Sequence, residues 1–99
     1  MKVAPYTRPN RREDMKAAAY YLAAYEKDGT FVKNGIDLLA DDIESRRAVV
    51  EMLEQTCHGW FKAGAAGHHA YSLPHHMQLI GITQRERAEL VIRENRRAA

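Results

Sequence analysis

The chain has 99 residues, of which 45% are hydrophobic, and a net charge of +2. This size and composition predict a single domain with one core. The single cysteine excludes an intramolecular disulfide and favours a reducing compartment. No apolar run is long enough to span a bilayer, and the first residues lack the apolar core of a signal peptide. The sequence therefore predicts a cytoplasmic protein that does not enter a membrane.

Charge is unevenly distributed along the chain. Residues 1–16 carry +3, residues 26–54 carry −4, and residues 55–99 carry +3. The basic ends either neutralise the acidic middle within the fold or meet an acidic partner.

The beginning of the chain predicts an arm followed by a helix. Residues 1–10 contain two prolines, which disfavour helix, and are predicted to form a basic extended arm. The remainder, 11–99, is predicted to be a single helical domain. Asn10 is placed to cap a helix over residues 11–27, with Glu13 completing a capping box.

The segment after this helix contains two turn signals. Asp28-Gly29 is interpreted as the stop of the first helix, since glycine tolerates the left-handed conformation. Asn34-Gly35 is the sequence of a two-residue hairpin turn. Because an isolated hairpin is marginal in water, a short helical turn or an extended connector is the favoured prediction for residues 31–39, and a hairpin is the alternative.

The longest helical pattern is predicted over residues 42–62, beginning at acids that suit the positive end of a helix dipole. Its apolar stripe indicates an amphipathic helix. The stripe consists of Ile43, Val49, Val50, Leu53, Cys57, Trp60 and Phe61. Arg46 falls inside it, and its stem is expected to pack while its head reaches the surface. The alternative is that Arg46 pairs with a buried acid or contributes to an interface.

Two further helices are predicted near the end of the chain. Ser72 is the expected cap of a short helix that Gly81 ends. Thr83 and Glu86 match the capping box of a last helix over residues 84–97. The predicted fold class is all-α, a small bundle with short helical pieces between three main helices. Those main helices span about residues 11–27, 42–62 and 84–97.

The histidines invite a metal-site hypothesis, because imidazole and the Cys57 thiolate are zinc ligands. Besides His58, they form two adjacent pairs, His68-His69 and His75-His76. No standard ligand spacing is present, and adjacent histidines point in different directions. The prediction is polar loop histidines with no metal and no cofactor. Titration of the histidines near neutral pH is a second possibility.

No catalytic motif is found. The sequence lacks a glycine-rich phosphate loop, a recognisable carboxylate pair and a serine-hydrolase elbow. Cys57 with a histidine base is the remaining catalytic arrangement, but neighbours on a helix point about 100° apart. The chain is predicted not to be an enzyme.

The C-terminal stretch 73–97, LPHHMQLIGITQRERAELVIRENRR, contains a decapeptide, GITQRERAEL, that is similar to the first half of the helix-turn-helix of phage-type repressors. This resemblance implies DNA binding as one function. If residues 84–97 are the recognition helix, its first residues meet base edges and its last arginines lie near phosphates. The candidates for bases are Gln84, Arg85 and Arg87, and those for phosphates are Arg93, Arg96 and Arg97.

The favoured prediction is a non-enzymatic protein-interaction module. A compact domain that is rich in arginine and alanine and lacks catalytic motifs resembles, in general character, the small inhibitors of bacteriophages and mobile elements, anti-CRISPR proteins included. The resemblance implies steric blocking of a larger protein or nucleoprotein complex. The candidate contacts are Arg8, Arg11, Arg12, Tyr20, Glu44, Arg47 and Glu51.

Overall fold

The computed structural model describes residues 10–98, so all but the last residue of the arm predicted for residues 1–10 lies outside the described part of the chain. The all-α prediction is wrong, because a three-stranded antiparallel sheet lies between the first two helices. In chain order the elements are α1 (Arg11–Leu22), β1 (Tyr25–Lys27), β2 (Thr30–Lys33), β3 (Ile36–Asp37), α2 (Ile43–Ala65) and α3 (Leu73–Ala98).

Two-residue turns build the sheet. Asp28 and Gly29 have φ angles of 51° and 80° and join β1 to β2. Asn34 and Gly35, at 52° and 75°, join β2 to β3. Positive φ at both central residues matches the right-handed twist of paired strands. Residues 31–39 thus form the hairpin that was the alternative prediction, and the favoured helical turn or connector is wrong.

The hairpins are stable because they pack on the helices. Phe31 of β2 is buried in the core, and the strand order β1-β2-β3 places this central strand against α1. An isolated two-stranded hairpin is marginally stable in water, whereas three strands that pack an apolar side on a helix are stable. All residues of β1 are exposed, so β1 contributes pairing rather than core.

The first helix begins and ends differently from its prediction. Asn10 has a left-handed φ of 59° and its side chain makes no capping hydrogen bond, so the predicted capping box is wrong. At the other end, the Ala24 amide donates to the Ala19 carbonyl at 2.9 Å, and the Ala23 amide donates to the Tyr20 carbonyl at 3.3 Å. This is a Schellman motif with alanine in the left-handed position. The helix therefore stops at residue 22 rather than 27.

The last two predicted helices are one helix. Ser72 caps it as predicted, since its Oγ accepts from the His75 amide at 3.4 Å. Gly81 does not end it, and Thr83 lies in its interior, where the hydroxyl donates to the Leu79 carbonyl at 2.7 Å. The predicted stop and second capping box are wrong, because a glycine within a long helix costs only about 1 kcal/mol.

Helix α2 spans 43–65, close to the predicted 42–62, and Asp42 caps it by accepting from the Ser45 amide at 3.0 Å. It packs antiparallel to α3, and α1 and the sheet cover one side of this pair. No helix within residues 10–98 combines the length and the apolar character needed to cross a bilayer. The core cluster comprises Met15, Ala18, Ala19, Leu22, Phe31, Leu38, Val49, Leu53, Leu79 and Ile82.

Arg46 is a buried charge. Its side chain is 3% exposed and pairs with Asp41 at 2.6 Å and with Glu89 at 3.2 Å. Arg93 reaches the same two acids at 3.0 and 3.7 Å. The favoured prediction of a head at the surface is wrong, since these carboxylates neutralise the guanidinium inside the fold. The hydrogen bond from Arg46, with the charges of both arginines, holds the pKa of Asp41 below its ordinary value.

Candidate functional site

One side of the α2/α3 pair carries a ladder of ion pairs. Three pairs cross the seam between the helices: Glu44–Arg97 at 3.1 Å, Arg47–Glu94 at 2.7 Å, and Glu54–Arg87. Their positions are separated by three and then seven residues along each helix, so they share one stripe. We call this side the outer α2/α3 face. It contains Glu44, Arg47, Glu51, Glu54, His58 and Phe61 from α2, and Leu73, Met77, Ile80, Gln84, Arg87, Val91, Glu94 and Arg97 from α3.

The ladder gives way to apolar side chains toward the connection between α2 and α3. Four of them are exposed: Phe61 at 66%, Met77 at 63%, Leu73 at 58% and Ile80 at 36%. Phe61 and Ile80 border a groove of about 340 Å³ between the two helices. Met77 and Leu73 continue the same stripe of α3, one and two turns before Ile80. We call these four residues the apolar end.

Polar side chains form the floor of the groove. His76 is buried, and its Nδ1 lies 2.8 Å from the Tyr71 hydroxyl. The His76 side chain also lines the groove. The Cys57 sulfur lies 3.3 Å from the Thr83 hydroxyl. Because that hydroxyl already donates to the Leu79 carbonyl, the thiol is the donor in its contact with Thr83.

Cys57 lines the groove together with His58 and His76. No hydrogen bond joins Cys57 to a histidine in the described part of the chain, whereas a catalytic thiol needs a neighbouring base to become a thiolate.

Aromatic packing fixes the connection between α2 and α3. The Trp60 ring lies 5.8 Å from Tyr21 and 6.1 Å from Tyr71, measured between centroids. Tyr71 in turn lies against Gly64, where an added Cβ would be 2.8 Å from the ring. Burial, with the neighbouring Tyr20 as a second cause, raises the pKa of the Tyr21 phenol, whose hydroxyl donates to Gln78. These contacts hold α2 and α3 in register beside the groove.

The charge around the apolar end is determined by a long stretch of sequence that lacks acidic residues. Residues 55–85 contain no Asp or Glu, yet they contain all five histidines, Lys62 and Arg85. Arg85 pairs with Asp14 of α1 at 2.8 Å. Lys62 is exposed beside Phe61 and has no ion-pair partner among residues 10–98. The apolar end is thus bordered by cationic and titratable groups and by no unpaired carboxylate of the described chain.

The predicted protein contacts are divided between two environments. Arg8 lies outside the described residues. Arg11 points inward, donating to the Leu38 and Leu39 carbonyls at 3.1 and 3.0 Å and pairing with the buried Glu86 at 3.2 Å. Such a guanidinium fastens α1 to the segment before α2 and to α3.

The other predicted protein contacts are at the surface. Arg12 donates to the Gly29 carbonyl at 3.1 Å and lies over Phe31. Tyr20 is 76% exposed. Glu44, Arg47 and Glu51 all lie on the outer α2/α3 face, and the first two are members of its ion-pair ladder.

The predicted nucleic-acid contacts lie on α3, but most are paired with acids. Arg85 binds Asp14, Arg87 binds Glu54, and Arg97 binds Glu44. Arg93 binds two acids, as described above. Gln84 is exposed on the outer face, and Arg96 is exposed near the helix end without an ion-pair partner among the described residues. The turn of a helix-turn-helix is absent from residues 73–97, which form part of the single helix α3.

The histidine pairs do not converge. His68 and His69 stack on each other at 4.7 Å, exposed in the connection between α2 and α3. His75 lies 6.2 Å from the Tyr21 ring, while the neighbouring His76 points into the groove. No group of three His, Cys, Asp or Glu side chains within residues 10–98 is close enough to hold a metal ion.

The sequence reasoning missed the apolar end. It assigned Phe61 to the buried stripe of α2, although the stripe rotates away from the core by the last turns of a long helix. Two signals were available: the spacing of Leu73, Met77 and Ile80 on one stripe, and the absence of acids from residues 55–85.

Comparisons with protein-family models, with curated proteins and with solved structures give no match to this chain.

Proposed function

We propose that the chain is a non-enzymatic, cytoplasmic protein-interaction module that binds a larger protein or nucleoprotein complex and blocks it sterically. This is the mode of action of the phage and mobile-element inhibitors, anti-CRISPR proteins among them, that the chain resembles in general character. The docking surface in this proposal is the apolar end, rather than the basic arm.

The observation that carries the proposal is the clustering of exposed apolar side chains. Phe61 and Ile80 come from two helices and border one groove, and Met77 and Leu73 continue the stripe of Ile80 along α3. Single exposed apolar residues are ordinary, whereas a contiguous patch beside a concavity is typical of a protein-binding surface. The polar ladder next to the patch resembles the rim of an interface, where charged pairs contribute less than the apolar centre.

Affinity capture from a bacterial lysate tests this proposal with two variants of equal chemistry. Ile80→Asp places a carboxylate in the apolar end. Val91→Asp places one on the same stripe of α3, about 16 Å away. Both side chains are exposed, so both variants are expected to fold. We expect a protein captured by the parent chain and by Val91→Asp to be lost with Ile80→Asp. The same capture by all three chains would refute this docking surface.

The alternative function, DNA binding through α3, is less well supported. Four of its five candidate arginines are engaged with acids, and releasing them for phosphates would leave those carboxylates near the DNA. A salt series with duplex DNA tests this alternative. Binding that falls steeply as salt rises would support it, and no binding at low salt would refute it.

A further inference from the structure

The charges around the apolar end specify the chemistry of its partner. We infer that this surface docks a helical protein segment that presents apolar side chains on one stripe and carboxylates beside them. The inference rests on the proposed function and adds the sign of the partner's charge.

The shape of the surface favours a helix as the occupant. Leu73 to Ile80 extends over two turns of α3, about 10 Å, and the groove beside Ile80 lies between two helices. A helix in such a groove anchors itself by side chains at positions i, i+3 or i+4, and i+7. The lining of the groove also includes the imidazole of His76, a polar group at the centre of the contact.

The sign of the charge follows from the acid-free stretch. Lys62 stands exposed beside Phe61 and His58 lies one turn earlier on the outer face, while the nearest acid on that face, Glu54, is already neutralised by Arg87. A partner carboxylate would therefore meet Lys62 without repulsion from an unpaired acid of this surface. A partner lysine in the same place would face the like charge of Lys62, which is unfavourable across an interface.

Other occupants fit the surface less well. A nucleic-acid backbone requires several cations that are free for phosphates, whereas Lys62 is accompanied by Arg85 and Arg87, which are held by Asp14 and Glu54. A lipid surface would bury a convex apolar edge, but here Phe61 and Ile80 border a groove with the polar groups of His76 and Thr83 in its floor.

Selection from a displayed library of randomised 16-residue peptides tests the inference without presupposing the partner. We expect the peptides that bind the parent chain to be acidic, with apolar residues at helical spacing. The best peptide is then measured by fluorescence anisotropy against four variants. Ile80→Asp and Lys62→Glu change the proposed surface, and Val91→Asp and Lys27→Glu make the same charge changes elsewhere.

We expect Ile80→Asp to weaken the peptide about tenfold or more and Lys62→Glu about fivefold, as for an apolar anchor and a rim charge. The two control variants should bind like the parent chain. Met77→Glu provides a second test of the apolar end, should Ile80→Asp not fold by circular dichroism.

The outcomes separate this inference from the proposed function. Selected peptides that are basic, and that Ile80→Asp abolishes, would overturn the acidic chemistry while leaving the docking surface intact. Peptides unaffected by Ile80→Asp, or no selected peptide at all, would overturn both. Binding to phosphatidylglycerol vesicles that Ile80→Asp abolishes, without any peptide binding, would identify a lipid surface and overturn the inference.

Discussion

Gly64 is the position where the smallest change should have the clearest effect. It lies in α2 under the ring of Tyr71, which closes the connection to α3. A methyl group at Gly64 would lie 2.8, 2.9 and 3.2 Å from three ring carbons of Tyr71. Gly59, five residues earlier in the same helix, meets no atom within 4 Å. Gly64→Ala and Gly59→Ala are therefore a pair on the same helix in which one site has space for a methyl group and the other does not.

The expected magnitudes have opposite signs. Each change removes a helical glycine, which alone stabilises the folded chain by about 1 kcal/mol. At Gly64 the ring must retreat to an ordinary carbon contact of about 3.5–4.0 Å, and overpacking of this kind costs about 1–3 kcal/mol. The retreat also weakens the 2.8 Å contact between Tyr71 and His76, worth about 1 kcal/mol. The net cost of Gly64→Ala is about 1–3 kcal/mol.

Thermal unfolding followed by circular dichroism measures both variants. Since 1 kcal/mol shifts the Tm of a domain of this size by about 4–8 °C, we expect Gly59→Ala to melt at least about 8 °C above Gly64→Ala. Adding Tyr71→Ala should remove the penalty of Gly64→Ala, because the clashing ring is gone. Equal melting temperatures for the two single variants would refute the packing of Tyr71 on Gly64.

Two further predictions concern the end of α1 and the ion pair that neutralises Arg46 in α2. Ala23→Gly should stabilise the chain by about 0.5–1 kcal/mol, because Ala23 holds a φ of 54° that glycine adopts freely; urea unfolding measures it, and a loss of stability would contradict the Schellman motif at the end of α1. Asp41→Asn should cost about 1 kcal/mol at pH 7, since it weakens the neutralisation of the buried Arg46. The folded pKa of Asp41 is lowered, so the contribution of its charge is present above the unfolded pKa of about 3.9 and is lost as pH falls through the folded pKa. The difference between parent and variant should therefore shrink below about pH 4, and a difference that stays constant down to pH 2 would contradict this role.

The sequence predicts the long central helix well because its apolar spacing is regular and Asp42 is a strong cap. The sequence predicts the sheet poorly because each of the two turns in the sheet is also compatible with a structure other than a hairpin. Asp28-Gly29 can stop a helix as readily as it can turn a hairpin, and only the burial of Phe31 against α1 decides between them. Tertiary packing, which local patterns do not contain, stabilises the three short strands.

In the candidate site, too, some features are predictable from the sequence and others depend on how the helices pack. The sequence pattern predicts that Tyr20 lies on the exposed side of α1 and that Glu44, Arg47 and Glu51 lie on the back of the central helix, and the exposure of all four side chains confirms this. That α3 supplies Arg97 and Glu94 to the first two could not be foreseen, because local patterns do not show which faces of two helices meet. Gly81 and Thr83 indicated a break within α3. The apolar end depends on that unbroken helix, since Met77 and Ile80 lie before the expected break.

Chemical-shift mapping tests the docking surface most directly. The chain labelled with ¹⁵N is titrated with the best peptide of the library selection, and the backbone amide signals are followed. We predict that the largest shifts fall in residues 57–62 and 73–84, around Phe61 and Ile80, and that the same titration of Ile80→Asp leaves them unchanged. Shifts concentrated on the Glu44–Arg97 end of the outer α2/α3 face, or on α1 around Tyr20, would contradict it.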